Sequence, residues 1–206
     1  MGTVKMKARD YRKQAWQAMA GKWGSAALVT FVWSLVVGAL TATGLGALLC
    51  TGPLELGYTS IVLNISRGKD ISLGQSFDGF KRFGDSLVLM LTNAIFIFLW
   101  SLLFFIPGII KAFSYSMSFF VLQDNPGMTA GEARKRSIQL MKGNKWRLFC
   151  LCFSFIGWFL LTAMTGGILM FWVLPYMQTA MASFYQSLVP VEEAEVPEAP
   201  EATEEA

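Results

Sequence analysis

Two charged side chains interrupt long apolar runs of this sequence and are the first candidates for chemistry. Glu55 follows Gly52-Pro53, and Lys111 follows Pro107-Gly108. If these runs cross a membrane, ionisable groups within them are suspected substrate contacts or gates. We expect both side chains near outer turns, each at the start of a short span. There they either pair with each other or reach the outer headgroups separately.

Uncharged polar side chains inside the apolar runs form a second set of candidates. Asn93, Ser114, Ser118 and Gln178 lie in such runs, and Ser114 and Ser118 share a helical face. Groups of this kind usually form hydrogen bonds between membrane helices. Packing is therefore the leading interpretation, and a polar path between the helices is the alternative.

Several kinds of catalytic and metal sites are excluded by the residue types. The chain has no His, which removes His-ligated metals, Ser-His-Asp triads and imidazole proton relays. Cys150 and Cys152 stand two residues apart, so a helix points them to nearly opposite sides. Paired intramembrane Asp motifs and phosphate-binding loops are also missing. We expect no enzymatic activity, no metal and no cofactor.

The densest basic cluster lies between two apolar stretches. Each cation near an anionic leaflet contributes about 1 kcal/mol of attraction. We interpret these side chains as candidate lipid-headgroup contacts, and the alternative is that they only orient the chain. They are Arg134, Lys135, Arg136, Lys142, Lys145 and Arg147.

Charge is divided unevenly between the body of the chain and its end. The net charge is +3, but residues 191–206 carry seven Glu, and without them the rest carries +10. The basic residues are split among loops, which favours anionic lipid and argues against nucleic acid. The Pro/Glu/Ala-rich segment 189–206 has almost nothing to bury, so we expect a disordered acidic tail.

Composition and hydropathy predict an all-helical polytopic membrane protein. The 206 residues are 54% hydrophobic and only 15% charged, against about 25% charged in soluble domains. An amphipathic helix (1–22) precedes a membrane domain (23–188) in which we predict three hairpins. Because the second and fourth segments are short, four full spans remain an alternative to six. The predicted spans lie near 23–47, 54–65, 86–106, 109–123, 148–165 and 168–188.

The basic residues also predict orientation. With six spans, sixteen Lys and Arg face one side, and only Lys111 faces the other. Cytoplasmic loops carry the excess of Lys and Arg. We therefore expect both termini in the cytoplasm.

A threefold repeat is suggested by the spacing of the long apolar stretches. They begin near Gly24, Leu87 and Leu148, and each follows a basic amphipathic segment. Gly21-Lys22-Trp23 and Gly143-Asn144-Lys145-Trp146 look like the same junction used twice. We hypothesise three copies of an interfacial helix followed by a helical hairpin. The alternative is that the three segments are similar only because any basic loop before a membrane span has this composition.

Several motifs resemble a known family. They include Ile106-Pro107-Gly108-Ile109-Ile110-Lys111, Asp124-Asn125-Pro126, Met141-Lys142-Gly143-Asn144-Lys145 and Ser154-Phe155-Ile156-Gly157-Trp158. Ala8-Arg9 and Phe77-Asp78-Gly79-Phe80 add to this pattern. Their order and spacing are similar to those of the bacterial membrane protein family catalogued as domain of unknown function 975. The resemblance implies a multi-pass bacterial membrane protein with no assigned activity, and supplies no catalytic residues.

These observations lead to two functional hypotheses. The first is a non-enzymatic protein of the plasma membrane that engages anionic lipid or a membrane or cytoplasmic protein partner, in a scaffold or envelope-maintenance role. The second is a subunit of a transporter or export system, with a polar path through Asn93, the Ser114/Ser118 face and Gln178.

Overall fold

All regular structure in the described part of the chain is helical, which confirms the all-helical fold class. A computed structural model describes residues 6–41, 45–103 and 105–189. The segment 190–206, which holds nearly all of the expected acidic tail, lies outside these ranges. A 3₁₀ helix (Leu73–Arg82) accompanies the α-helices. The latter are α1 (Ala8–Ala18), α2 (Trp23–Thr41), α3 (Leu45–Ser66), α4 (Phe83–Leu103), α5 (Phe105–Tyr115), α6 (Ser118–Asp124), α7 (Ala130–Met141), α8 (Lys145–Phe153), α9 (Ile156–Met164) and α10 (Met170–Gln186).

The predicted amphipathic segments form short helices. In α1, Tyr11 and Ala15 are fully buried on one face, as expected for the amphipathic helix predicted over 1–22. At the start of α7, the Thr129 amide donates to the Glu132 carboxylate at 2.8 Å, as part of a capping box whose Thr-x-x-Glu spacing is present in the sequence. The repeated junction is also seen, since Gly21 and Gly143 both end a short helix with φ near +80° (+78° and +82°). Glycine adopts this conformation without steric cost.

Three segments are long and apolar enough to cross a membrane, namely residues 23–40, 74–102 and 145–164. No more than about a fifth of each is buried inside the protein, between 17% and 22%. Large apolar side chains therefore face outward along them, such as Leu35, Phe98 and Leu160. An apolar surface of this extent suits a membrane rather than water.

Each long apolar segment is followed by a helix that packs in the centre of the molecule, and we call α3, α6 and α10 the return helices. Helix α3 packs against both α6 and α10. Between α6 and α10, the rings of Phe120 and Tyr185 stack with their centroids 5.6 Å apart. Ile61 of α3 and Ala180 of α10 are fully enclosed in the same core. The protein thus has an inner layer of return helices inside an outer layer of exposed apolar ones.

Contacts between the three sequence units follow a cyclic order. We define unit 1 as α1–α3, unit 2 as the 3₁₀ helix with α4–α6, and unit 3 as α7–α10. The first helix of each unit packs against the return helix of the unit before it: the 3₁₀ helix on α3, α7 on α6, and α1 on α10. Likewise, α3 contacts α4, α5 contacts α8, and α10 contacts α2. This closed arrangement supports the threefold repeat.

The predicted spans 23–47 and 54–65 require a turn near Cys50–Pro53, and this expectation is wrong, because α3 runs through these residues from Leu45 to Ser66. Gly52 and Gly57 allow close packing against neighbouring backbone and do not reverse the direction of the chain. A Cβ on Gly52 would lie 2.7 Å from the carbonyl oxygen of Ser86, and one on Gly57 would lie 2.0 Å from that of Ser76. Backbone from unit 2 therefore lies directly against α3. The predicted short span 54–65 is the second half of a 22-residue helix.

Two other predicted spans are interrupted. The fourth, near 109–123, consists of α5 and α6 with a break at Ser116-Met117, and the fifth contains a break between α8 and α9 at Ser154-Phe155. The break between the predicted spans 148–165 and 168–188 is confirmed at Gly166-Gly167, with φ values of +64° and +90°. Pro107 lies in the first turn of α5, where proline is tolerated.

Candidate functional site

The ends of the return helices lie close to the basic residues that begin the long apolar segments. The Lys22 ammonium donates to the carbonyl oxygens of Gly68, at 2.9 Å, and Lys69, just after α3. The Arg82 guanidinium donates to three carbonyl oxygens at the end of α6 and beyond, those of Leu122, Asn125 and Met128. The last carbonyls of a helix have no partner within the helix and attract cations. We call this side of the molecule the basic end.

Arg147 occupies the corresponding place in unit 3. Its guanidinium donates to the Asn144 side chain at 2.7 Å and to the hydroxyl of Tyr11. That hydroxyl forms a 2.9 Å hydrogen bond with Ser187 at the end of α10. The Arg147 guanidinium also lies 5.6 Å from the ring centroid of Phe184. Each unit thus uses a cation at the start of its long segment to reach the end of its own return helix.

The six predicted headgroup contacts divide into different environments. Lys135 and Lys142 are exposed, and Lys145 is half-buried. Arg134 lies over the Phe96 ring, 4.5 Å from its centroid. The guanidinium groups of Arg134 and Arg147 thus contact protein side chains, and headgroup binding by these two residues stays a prediction. Binding of lipid by the exposed lysines stays a prediction.

Arg136 lines a polar pocket of about 540 Å³ at the basic end. The pocket brings together residues from the ends of α3, α6 and α10 with α7. Its principal charged contact is a bidentate ion pair, in which the Arg67 guanidinium donates to both Asp124 carboxylate oxygens at 2.7 and 2.6 Å. The lining is Arg67, Lys69, Val121, Asp124, Asn125, Met128, Arg136, Leu140, Tyr185 and Val189. This is the basic pocket.

Glu55 and Lys111 are not brought together as an ion pair. Glu55 lies near the middle of α3, because that helix continues through Pro53. In the described part of the chain, the side-chain carboxylate of Glu55 has no hydrogen-bond or ion-pair partner. Lys111 lies in α5 with its ammonium 4.7 Å from the ring centroid of Trp100. The expectation that both residues follow an outer turn at the start of a short span is therefore wrong for Glu55.

The uncharged polar candidates differ in whether they have hydrogen-bond partners within the protein. The Ser114 hydroxyl donates to the Ile110 carbonyl of its own helix, while the Ser114 carbonyl accepts from Ser137 of α7, each at 2.8 Å. Asn93 Oδ1 and Ser118 Oγ are buried, with no hydrogen-bond partner among the described residues. These residues lie on α4 and α6, which contact each other.

Gln178 lies partly buried on α10, in unit 3. It therefore belongs to a different unit from the other three uncharged candidates. Its neighbours on the same helix, Thr179 and Ser183, bond to carbonyls one turn earlier. The described contacts do not join Gln178 to the remaining candidates.

An aromatic cluster between units 3 and 1 was missed by the sequence analysis. Trp16 and Trp23 pack edge to face with centroids 4.8 Å apart, and Trp16 and Trp158 each contact the Tyr176 ring. With Trp172, these rings line an apolar pocket of about 540 Å³. Trp16 and Trp23 are seven residues apart, but nothing in the sequence links them to Trp158 or Tyr176. In the described part of the chain, no three His, Cys, Asp or Glu side chains gather as metal ligands.

The second half of the chain is similar to a known family. Residues 102–192 match the family described as "Protein of unknown function (DUF975)". This segment is similar to the DUF975 family. The match contains the motifs from Pro107-Gly108 to Phe155-Ile156-Gly157-Trp158, and it confirms the recognition made from them. Comparison with curated proteins and with solved structures gives no match.

The stretch that matches the DUF975 family includes much of the basic end. Helices α5–α10 all fall within residues 102–192, as do Asp124, Arg136 and Tyr185 of the basic pocket. Arg67 and Lys69 of the same pocket come from the preceding half of the chain. The pocket is therefore built jointly by the matched segment and by the end of α3.

Proposed function

We propose that this chain is a non-enzymatic protein of the bacterial plasma membrane that engages anionic lipid at its basic end, in a scaffold or envelope-maintenance role. One observation carries the proposal. Three long apolar segments with exposed side chains surround the return helices, while cations collect where those return helices end. A bilayer would cover the first surface and present headgroups to the second.

The proposed topology has six crossings arranged as three hairpins. The pairs are α2 with α3, α4 with α5–α6, and α8–α9 with α10. At a rise of 1.5 Å per residue, the 19 residues of α2 and the 22 of α3 extend about 28 and 33 Å. These lengths suit a hydrocarbon core of about 30 Å. The basic end faces the cytoplasm in this proposal, and both termini lie there.

Lipid engagement is proposed for the exposed lysines in particular. Lys135 and Lys142 are exposed and stand seven residues apart, which places them along one side of the α7 region. Two such cations contribute about 2 kcal/mol of attraction to an anionic surface. That energy corresponds to roughly a thirtyfold preference for anionic over neutral lipid, and screening by salt lowers it.

A competition for bound lipid tests the proposal. The full chain is purified in detergent with equal amounts of phosphatidylglycerol and phosphatidylcholine, and the retained lipids are measured by mass spectrometry. The double variant Lys135→Gln/Lys142→Gln should lose most of the preference for phosphatidylglycerol. Gln139→Ala, at an exposed and uncharged position of α7, is the control and should keep it. Equal retention of the two lipids by the unmodified protein would contradict lipid engagement.

A transporter or export-system subunit is the second candidate. It is favoured by the unpartnered buried oxygens of Asn93 and Ser118 on the contacting helices α4 and α6. A water-filled path would satisfy both groups. Cysteine substituted singly for Asn93 or Ser118 should then react with a small water-soluble thiol reagent in the folded protein. Protection of both positions would remove this candidate.

A further inference from the structure

We propose that the basic pocket binds the acidic C-terminal segment of the same chain. The segment in question is Glu192–Glu195, which contains three of the seven Glu residues near the end of the sequence. The pocket thus becomes a binding site for a short acidic peptide that is supplied in cis.

Charge complementarity is the first argument. Arg67, Lys69 and Arg136 line the pocket with a single carboxylate, that of Asp124. The lining therefore has two more positive charges than negative ones. Glu192, Glu193 and Glu195 would supply three carboxylates, which can bond to guanidinium and ammonium groups through charge-assisted hydrogen bonds.

The path of the chain is the second argument. Helix α10 ends at Gln186, and Val189 is itself part of the pocket lining. Glu192 follows three residues later, so an extended chain places it within about 10 Å of Val189. Glu193 and Glu195 follow at most about 4 and 10 Å farther along an extended chain. The acidic segment therefore starts at the edge of the pocket and needs no long connection to reach it.

Attachment to the same chain also favours binding. A short tether gives an intramolecular ligand an effective concentration in the millimolar range. Individual exposed ion pairs are weak and are screened by salt. Three carboxylates held beside the pocket can therefore compete with free anions at low salt, and the contact should weaken steadily as salt is added.

Carbodiimide coupling of the purified full chain tests the contact. This reagent joins a lysine amine directly to a neighbouring carboxylate, and the linked peptides are identified by mass spectrometry. We expect coupling of Lys69 to Glu192, Glu193 or Glu195, with a yield that falls as sodium chloride is raised. Coupling of these residues mainly to the exposed Lys135 or Lys142 would overturn the proposal.

A second measurement does not depend on coupling chemistry. The rate of acetylation of Lys69 reports how well its amine is covered, and Lys135 serves as an internal reference. The variant Glu192→Gln/Glu193→Gln/Glu195→Gln should raise the Lys69 rate about fivefold, as expected for the loss of a few weak ion pairs. The distal variant Glu201→Gln/Glu204→Gln/Glu205→Gln removes the same charge and should leave it unchanged.

These outcomes separate the tail from a general charge effect. Equal increases in the near and distal variants would mean that overall charge, and not a seated segment, protects Lys69. No increase in either variant would show that the basic pocket is not covered by the acidic segment. Either result overturns the proposal, whatever the lipid measurements show.

Discussion

Replacing Gly79 by alanine should destabilise the protein strongly, because the 3₁₀ helix and α3 meet backbone to backbone at this residue. A Cβ on Gly79 would lie 1.9 Å from the Pro53 carbonyl oxygen and 2.7 Å from the Gly57 amide nitrogen. Both neighbours are main-chain atoms, so no side chain can rotate away. To reach an ordinary contact of 3.4 Å, the 3₁₀ helix must move away from α3 by about 1.5 Å.

The cost follows from the loss of that close packing. Overfilling a well-packed site costs about 1–3 kcal/mol and occasionally more. In a chain of this size, each kcal/mol changes the midpoint by about 2–4 °C. We therefore expect Gly79→Ala to lower the thermal midpoint by about 5–10 °C, measured by circular dichroism in detergent.

Gly74→Ala is the matched control on the same 3₁₀ helix. Its Cβ would have only the Ser72 hydroxyl nearby, at 3.9 Å. Surface substitutions of this kind change stability by about 0.5 kcal/mol or less. If Gly79→Ala and Gly74→Ala unfold at the same temperature, the backbone contact between units 1 and 2 is not what holds them together.

Three further predictions concern single contacts. Arg82→Met should lower stability by about 2–3 kcal/mol, because three carbonyl oxygens at the end of α6 lose their donor, whereas Lys81→Met beside it should have little effect on the thermal midpoint. Hydrogen bonds from the Thr129 amide and hydroxyl lower the pKa of Glu132 below its usual value of 4.5. The stabilisation of α7 by the Glu132 carboxylate is therefore present above pH 4.5 and lost as the pH falls through the lowered pKa. Hydrogen exchange in the first turn of α7 should then speed up in acid. The variant Glu132→Gln should abolish that change. Ser118→Ala should leave the thermal midpoint unchanged or raise it slightly, because the buried hydroxyl has no partner among the described residues; a drop of several degrees would reveal one.

The local signals in the sequence predicted local structure well. Thr129 and Glu132 have the spacing of a capping box, and α7 begins there. Gly143 and Gly166 mark reversals that need a positive φ. The alternation of charge and hydropathy identified the three outward-facing segments. These features depend on a few neighbouring residues, so one sequence is enough to find them.

The wrong predictions concern residues whose structure depends on contacts with distant parts of the chain. Gly52-Pro53 has the composition of a turn, but the glycine is required because the backbone of unit 2 lies against α3. Similarly, the contact of Arg147 with Tyr11 could not be predicted, because the two residues are more than a hundred positions apart in the sequence. The basic pocket could not be assembled in advance, since Arg67, Asp124 and Arg136 meet only when three units close on one another.

The most direct test of the account is the side of the membrane on which each end of the molecule lies. In a chain whose own cysteines are replaced by serine, cysteine is substituted singly for Lys135, at the basic end, or for Thr165, at the reversal between α9 and α10. Intact cells producing each variant are treated with a membrane-impermeant thiol reagent. The account predicts labelling at Thr165 in intact cells, and at Lys135 only after the membrane is opened. Labelling at Lys135 in intact cells would contradict it.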